Sequence, residues 1–455
     1  MAYYISKSYK LKSSPLGIFS CFSDEKMPFF LDSSLNSSLG RYSIIGANPF
    51  YVMKADKNSS LGELRSLLEV YKLPRINTAI PFSGGAVGYI SYDFGLRSGD
   101  IKIRDRSRRE FLIPDFLFGF YNCALIIDNL NKTLRIFSCG FPEKKGYLAE
   151  ALCKDNFNKM LSQVSRANDS GQIRCRAIKN TKISGLRSNF SRRAYTKAVK
   201  KAKEYIRRGD IYQVNLSQRF KADTRSSPLE TYRRLRNISP TCFSAYFDAG
   251  NFQILSSSPE RFLELKKGLV ATRPMKGTRA HGDDKLSNKA LRSDLLNSAK
   301  DKAELLMIVD LERNDLSRVC DYGTVKVRSL RELEVYKTVL QATATIEGRI
   351  REDKDRLDLL DACFPGGSIT GCPKIRAMEI IDELEPNRRN VYTGCLGYLS
   401  FCGNMDFNIL IRTILQKGGK IYFNVGGGIV FDSQPQDEYQ ETLVKAEGIF
   451  RAING

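Results

Sequence analysis

The chain of 455 residues holds a single histidine, His281. That scarcity removes whole classes of chemistry, because serine–histidine triads, most zinc hydrolase centres and histidine-bound iron need imidazoles that are absent. Acid–base work must fall to carboxylates, lysine or tyrosine. The eleven cysteines are scattered, odd in number and include no Cys-x-x-Cys pair. This excludes a disulfide framework and a zinc-type spacing, and reads as reduced core residues. An unbroken apolar span is also lacking. The most apolar stretch, Phe111 to Ile127, is cut by Pro114, Asp115, Gly119 and Asn122, so buried strands are expected rather than a membrane helix. The first dozen residues carry tyrosine and lysine but no apolar core before a cleavage site, and a cytoplasmic location without membrane contact is expected.

What is present is globular: 42% hydrophobic and 27% charged residues, with a formal net charge of +22. The excess of cations is spread over both halves of the chain. The densest run, Lys102 to Arg109, reads as a solvated loop, since a nucleic-acid surface would gather its charge into a patch interleaved with aromatics. No nucleic-acid partner is expected. A positive field suits an anionic substrate or an acidic partner subunit.

Residues 1–165 mix short β-rich runs, such as Tyr42-Ser-Ile-Ile-Gly46 and Ala86 to Tyr92, with a helix around Leu61 to Tyr71. Residues 166–190, rich in Ser, Asn, Gly and basic residues, read as a linker. Residues 191–455 are patterned more strongly. A basic amphipathic helix opens at Ser191, runs through Ile206 and is closed by Gly209, and a strand follows from Ile211 to Phe220. Helices are expected over Asn297 to Leu311 and Pro373 to Leu384. Strands are expected over Tyr392 to Phe401 and Ile421 to Val425, the latter running into Gly426-Gly-Gly428. The irregular order of strands and helices points to an α+β architecture.

Three constellations would suit chemistry. Asp301/Glu304 and Glu438/Glu441 are i,i+3 pairs, each on one face of an expected helix. Facing each other, they would give an oxygen-only site for Mg²⁺, although such pairs are equally the mark of solvated helix faces. Lys276, between Pro274 and Gly277 in a tight turn, would bind an anion or act as a nucleophile, unless it is an ordinary surface-hairpin lysine. The third set is glycine-rich. Gly366 to Lys374 would present N–H groups and Lys374 to an anion at a helix start. Gly426 to Gly428 reads as a second loop and Gly84 to Gly88 as a turn between strands. None matches a Walker or dinucleotide spacing.

Taken in order, seven segments resemble the chorismate-utilising enzyme family. They are Gly209-Asp-Ile-Tyr-Gln-Val-Asn-Leu-Ser-Gln-Arg-Phe220, Ser258-Pro-Glu-Arg-Phe262, Pro274-Met-Lys-Gly-Thr278, Glu304 to Asp315, Phe364 to Glu379, Gly403-Asn-Met-Asp406 and Asp437 to Thr442. Leu31-Asp-Ser33, Arg41-Tyr-Ser43 and Gly84 to Tyr89 extend the resemblance to the N-terminal region of component I enzymes, where relatives often carry a tryptophan pocket. The fold it implies is a two-layer antiparallel β-sandwich with surrounding helices, as in anthranilate synthase component I. Lys276 and the Phe-Pro-Gly-Gly-Ser-Ile-Thr-Gly wording resemble the aminodeoxychorismate (para-aminobenzoate) branch. The anthranilate branch typically has alanine at the lysine position.

The activity implied is amination of chorismate to 4-amino-4-deoxychorismate, toward para-aminobenzoate and folate, with ammonia from a separate glutaminase subunit. Anthranilate formation and a degenerate, non-catalytic homologue are the alternatives. The resemblance implies Mg²⁺ held by Glu304 and Glu441 with Asp301 and Glu438 behind them, Glu260 as general acid and Lys276 as nucleophile. Ser368, Tyr392, Arg412, Gly426, Gly427, Gly428, Lys445, Gln213 and Thr278 would contact substrate. Gln341 stands where the family usually has histidine, a residue associated in relatives with pyruvate elimination. Gln213 stands where the isochorismate-forming members tend to have a water-activating lysine. His281 reads as a loop residue.

Overall fold

The computed structural model describes residues 3–35, 37–55, 59–74, 80–97, 101, 112–169, 183–280, 285–336 and 339–454. The basic run Lys102 to Arg109 and His281 lie outside these residues.

Two antiparallel sheets dominate, one of 12 strands and one of 10. In the larger sheet, five neighbouring strands come from the first 140 residues. At the junction Phe29–Asp32 pairs with Phe243–Asp248, Leu31 opposite Ala245. In the smaller sheet Gly85–Ile90 pairs with Cys395–Ser400, so Gly88 faces Gly397 across more than 300 residues of chain. Both sheets are therefore built from both ends of the sequence. Between them lies a dry core: Tyr89 of the smaller sheet packs edge-on against Phe247 and Phe252 of the larger, and Tyr121 against Phe29 at 4.6 Å. Each fully buried side chain of this size contributes about 1.5–3 kcal/mol. This is the α+β architecture expected from the order of elements and the two-layer antiparallel arrangement implied by the resemblance.

Helices cover the outside. Arg192–Arg207 starts where Ser191 accepts a hydrogen bond from the Ala194 N–H, and its stripe of Tyr195, Ala198, Val199 and Ala202 is buried. It packs with Lys374–Leu384 over Val214, Leu216 and Ile429 of the larger sheet. The C-terminal helix Pro435–Asn454 lies beside it, with Tyr195 and Tyr439 in ring contact at 5.8 Å.

Three expectations are corrected. Gly426 to Gly428 form no loop; they lie inside the strand Lys420–Ile429, in register with Ser217, Leu216 and Asn215. Gly85 to Gly88 likewise belong to a strand, Gly85–Ile90. In both cases the glycines admit close approach of neighbouring groups where a turn was expected. Finally, the segment read as a linker carries regular structure at both ends: the helix Gly146–Asp169 runs into it, and Ser184–Ser188 pairs with Gln213–Asp223. A helix that the sequence pattern did not announce, Lys285–Asn297, precedes Ala299–Ser317.

Candidate active site

The site residues converge where the two sheets meet the helices Ala299–Ser317 and Pro435–Asn454. Lys276 lies in the strand Met275–Ala280, paired with Ala342, and the register slips at Gly277. Gly277 has φ 76°, and a Cβ there would sit 2.8 Å from Leu295 Cδ1 and 3.0 Å from Asp301 Cγ. Only glycine fits both demands, so the bulge brings the lysine strand against the start of the helix Ala299–Ser317. Lys276 is thus no exposed hairpin residue but a partly buried one in a strand. Its Nζ points at Gly428: a Cβ on that glycine would be 3.3 Å from Lys276 Nζ and 2.7 Å from Gln213 Nε2. Burial pulls the lysine's pKa down, Glu304 opposes this, and Lys445 adds to it.

Glu260 follows strand Gln253–Ser258 and is 3% exposed. Burial pushes its carboxyl up to about 7, against the Ser368 hydroxyl, Lys276, the Met275 N–H and Arg412. Ser368 is buried in the single turn Gly367–Ile369. Arg412, at φ 49°, makes no salt bridge among the described residues. Burial lowers its pKa, while Tyr336 and Glu260 raise it. Tyr392 is buried with the Arg389 guanidinium 5.6 Å from its ring centre.

Glu438 and Glu441 converge over Gly427, where a Cβ would lie 3.2 Å from Glu438 Oε2 and 3.3 Å from Glu441 Oε1. Glu438 accepts a 2.6 Å hydrogen bond from Ser433. Lys445 Nζ pairs with Glu441 at 2.6 Å and donates to the Gly426 carbonyl at 3.0 Å. Its charge holds Glu441 below the ordinary carboxylate range. Glu304 lies 3.9 Å from Lys300, and burial raises its pKa. Asp301 receives Arg279 at 2.8 Å. Among the described residues no three His, Cys, Asp or Glu side chains stand close enough together to hold an ion as placed. The donor set is nonetheless all oxygen, and Gly427 leaves room beside two of its carboxylates, which suits a hard divalent cation.

Several buried polar atoms here have no partner among the described residues: both amide atoms of Gln213, Oε1 of Gln341 and Oε1 of Glu260. Gln341 Nε2 donates to Thr278 Oγ1 at 3.3 Å. Orphans of this kind are rare in folded proteins and mark a place for a polar ligand or water.

Lys374 is not available to an anion, because its Nζ is 2.6 Å from Asp315 and 3.0 Å from the Cys363 carbonyl. Sequence reasoning missed Glu312, 7% exposed, which accepts from Thr272 Oγ1 at 2.9 Å. Burial, then the nearby Glu260, pushes it up to about 8. The signal was the spacing, since Glu304, Ile308 and Glu312 recur every four residues on one helix face. A separate cavity of about 340 Å³ lies at the junction of the N-terminal strands, lined in part by Leu31, Asp32, Ser33, Arg41, Tyr42 and Cys242.

Comparison with known proteins agrees with this construction. The family model described as chorismate binding enzyme matches residues 28–451. The chain is similar to the anthranilate synthase component 1 of Acetivibrio thermocellus, 36% identical over 98% of this chain and 94% of that one. It is also similar to the aminodeoxychorismate synthase component 1 of Klebsiella aerogenes, 40% identical over 84% of this chain and 79% of that one. The crystal structure of anthranilate synthase component I from Streptococcus pneumoniae TIGR4 superposes with a TM-score of 0.80 at 32% identity, covering 91% of this chain and 93% of that one. With the family model matching residues 28–451 and the family signatures running from strand Gln213–Asp223 to helix Pro435–Asn454, the chain belongs to the chorismate-binding enzyme family.

Proposed function

We propose that this chorismate-utilising enzyme aminates its substrate as an aminodeoxychorismate synthase component I. The observation that carries the reading is the ε-amine of Lys276, set against Gly428 and Gln213 Nε2 inside the site with its pKa drawn down by burial. An unprotonated lysine there is a nucleophile. Its amine attacks C2 of chorismate; the ring double bonds shift, the C4–O bond breaks, and Glu260 gives its proton so that water leaves. Ammonia then attacks C4, the double bonds shift back, and the C2–N bond breaks to release the lysine with 4-amino-4-deoxychorismate.

Arg412 and Ser368 border Glu260 and would receive carboxylate oxygens of the substrate, as would Tyr392, Thr278 and the backbone around Gly426 to Gly428. Lys445 reaches the same carboxylates only by leaving Glu441 or the Gly426 carbonyl. Glu304, Glu438 and Glu441, with Asp301 behind them, would hold Mg²⁺, whose chemistry is to neutralise the ring carboxylate. Gln341 carries an amide, not an imidazole, beside Thr278, which supports amination without pyruvate elimination. The ammonia source would be a glutaminase subunit. Anthranilate formation is the second reading, favoured by the 36% identical relative spanning 98% of the chain.

The test is product analysis by chromatography and mass detection after incubating the protein with chorismate, Mg²⁺ and ammonium, beside Lys276→Ala. The expected product is 4-amino-4-deoxychorismate, lost on the order of 10⁴-fold or more in the variant. Anthranilate from the unmodified protein, or full amination by the variant, overturns the reading.

A further inference from the structure

From the helix Ala299–Ser317, Glu312 reaches between two pieces of chain that border Glu260. One is the strand Arg261–Lys266, which follows Glu260 directly and bulges at Phe262: Arg261 pairs with Asn408 and Leu263 with Phe407, leaving Phe262 as the extra residue. Such bulges re-aim the side chains beside them. The other is the turn Gly367–Ile369, whose Ser368 stands beside the Glu260 carboxyl. That turn passes so close that a Cβ on Gly367 would lie 2.8 Å from Leu311 Cδ2 and 3.5 Å from Glu312 Cγ.

The link from Glu312 to the bulge is the Thr272 hydroxyl. It has one hydrogen and two oxygens at full hydrogen-bond distance, the Phe262 carbonyl at 2.7 Å and Glu312 Oε2 at 2.9 Å. A carbonyl can only accept, and an ionised Glu312 would compete with it for the same hydrogen. A protonated Glu312 instead donates to the hydroxyl, which is then free to donate to Phe262, and both short contacts are satisfied. The surroundings agree. Burial first, then Glu260 and less so Asp315, push the Glu312 carboxyl up to about 8, against the Thr272 hydroxyl and Lys374. Lys374 is itself taken by Asp315, and burial pushes the nearby Cys363 thiol up, so it adds no charge.

We propose that Glu312 is a positioning residue that works as a neutral acid, holding the Phe262 bulge through Thr272 and thereby aiming Glu260 without placing a second negative charge beside it. The proposal rests on Glu260 being the acid of the amination reading above. A charge on Glu312 would make Glu260 hold its proton more tightly, which is the opposite of what a proton donor needs.

The experiment sets Glu312→Gln and Glu312→Met beside the unmodified chain. Infrared difference spectra at about pH 6, without substrate, should show that Glu312→Gln removes a protonated carboxyl band. An infrared pH titration follows Glu260, whose midpoint should fall below about 7 in Glu312→Met as the bulge loosens and water enters. In chorismate turnover Glu312→Gln, which keeps a hydrogen for Thr272 and carries no charge, should rescue kcat to within about threefold, whereas Glu312→Met should lower it about ten- to a hundredfold with a smaller change in KM. Above about pH 8 the rate of the unmodified protein should fall more steeply than that of Glu312→Gln, which has no second proton to lose. Loss of an ionised carboxylate band in Glu312→Gln, equal damage by Gln and Met, or an unmoved Glu260 titration in Glu312→Met would overturn the proposal. Should Glu312→Met not fold, the spectra and pH profile of Glu312→Gln decide alone. Absence of amination by the unmodified chain removes the amination reading, while the infrared titrations still read the charge of Glu312 and its hold on Glu260.

Discussion

Glu260 and Glu441 both feel the charge of Lys276, yet their titrations move in opposite directions. Burial drives Glu260 up to about 7, whereas Lys445 holds Glu441 below the ordinary carboxylate range. The side chain of Glu441 is 49% exposed, and Glu260 is 3% exposed. On the inner side of the site desolvation dominates at Glu260 and leaves a carboxyl able to give up a proton near neutrality. On the outer side the cation Lys445 dominates at Glu441 and leaves it ionised, ready to receive a positive charge, whereas burial raises its neighbour Glu438. A single residue type thus takes two chemical tasks from its surroundings alone.

The comparison breaks most sharply at Glu260. Glu260→Gln should cost about 10²–10⁴-fold in turnover and flatten the fall in rate above pH 7 expected of the unmodified enzyme as Glu260 loses its proton. An unaltered pH–rate profile would mean that the inner carboxyl is not the acid. The same substitution should also change stability. Because the folded pKa lies above the unfolded one, the folded state keeps a proton that the unfolded chain releases, so stability falls as pH rises from about 4.5 to about 7. Relative to Glu260→Gln, the unmodified protein should lose up to about 3 kcal/mol across that window, read from urea midpoints at each pH.

On the outer side, Mg²⁺ at a hundred times its dissociation constant should stabilise the protein by about 2.7 kcal/mol. Glu438→Gln/Glu441→Gln should abolish that stabilisation, read as a Mg²⁺-dependent shift in Tm; a shift that survives would remove these carboxylates from the cation site. The smallest effect belongs to Ser298, whose hydroxyl caps the helix carrying Asp301 and Glu304 by accepting from the Asp301 N–H. Ser298→Ala should cost about 1 kcal/mol and leave both titrations unmoved, as denaturation and pH–rate curves would show.

Helix faces were the legible part of the site. The spacings of Asp301/Glu304 and Glu438/Glu441 survive folding because the α-helix converts sequence interval directly into direction. Strand neighbours were not legible from pattern. Nothing in Gly426 to Gly428 announces that they lie opposite Ser217 to Asn215, since register depends on a partner some 200 residues away. For the same reason Gly84 to Gly88 read as a turn. Glu312 was overlooked because a glutamate in a polar helix looks solvated until Thr272 and Gly367 are brought over it. The two-layer fold was expected from the resemblance, whose signatures span both sheets, and not from periodicity.

The junctions between early and late strands also bear on how the chain is made. Gly85–Ile90 has Phe116–Tyr121 on one flank, but on the other it waits for Cys395–Ser400. On a ribosome that second edge stays open until most of the polypeptide has emerged, an interval of tens of seconds at about 5–20 residues per second. During it the apolar side chains of Ala86, Tyr89 and Phe118, on the two faces of this sheet, lack their final cover. Pairings this distant are slow to form and exposed to wrong partners, so nascent chains stalled short of residue 395 should be clients of chaperones, and fragments ending there should fail to give a soluble product.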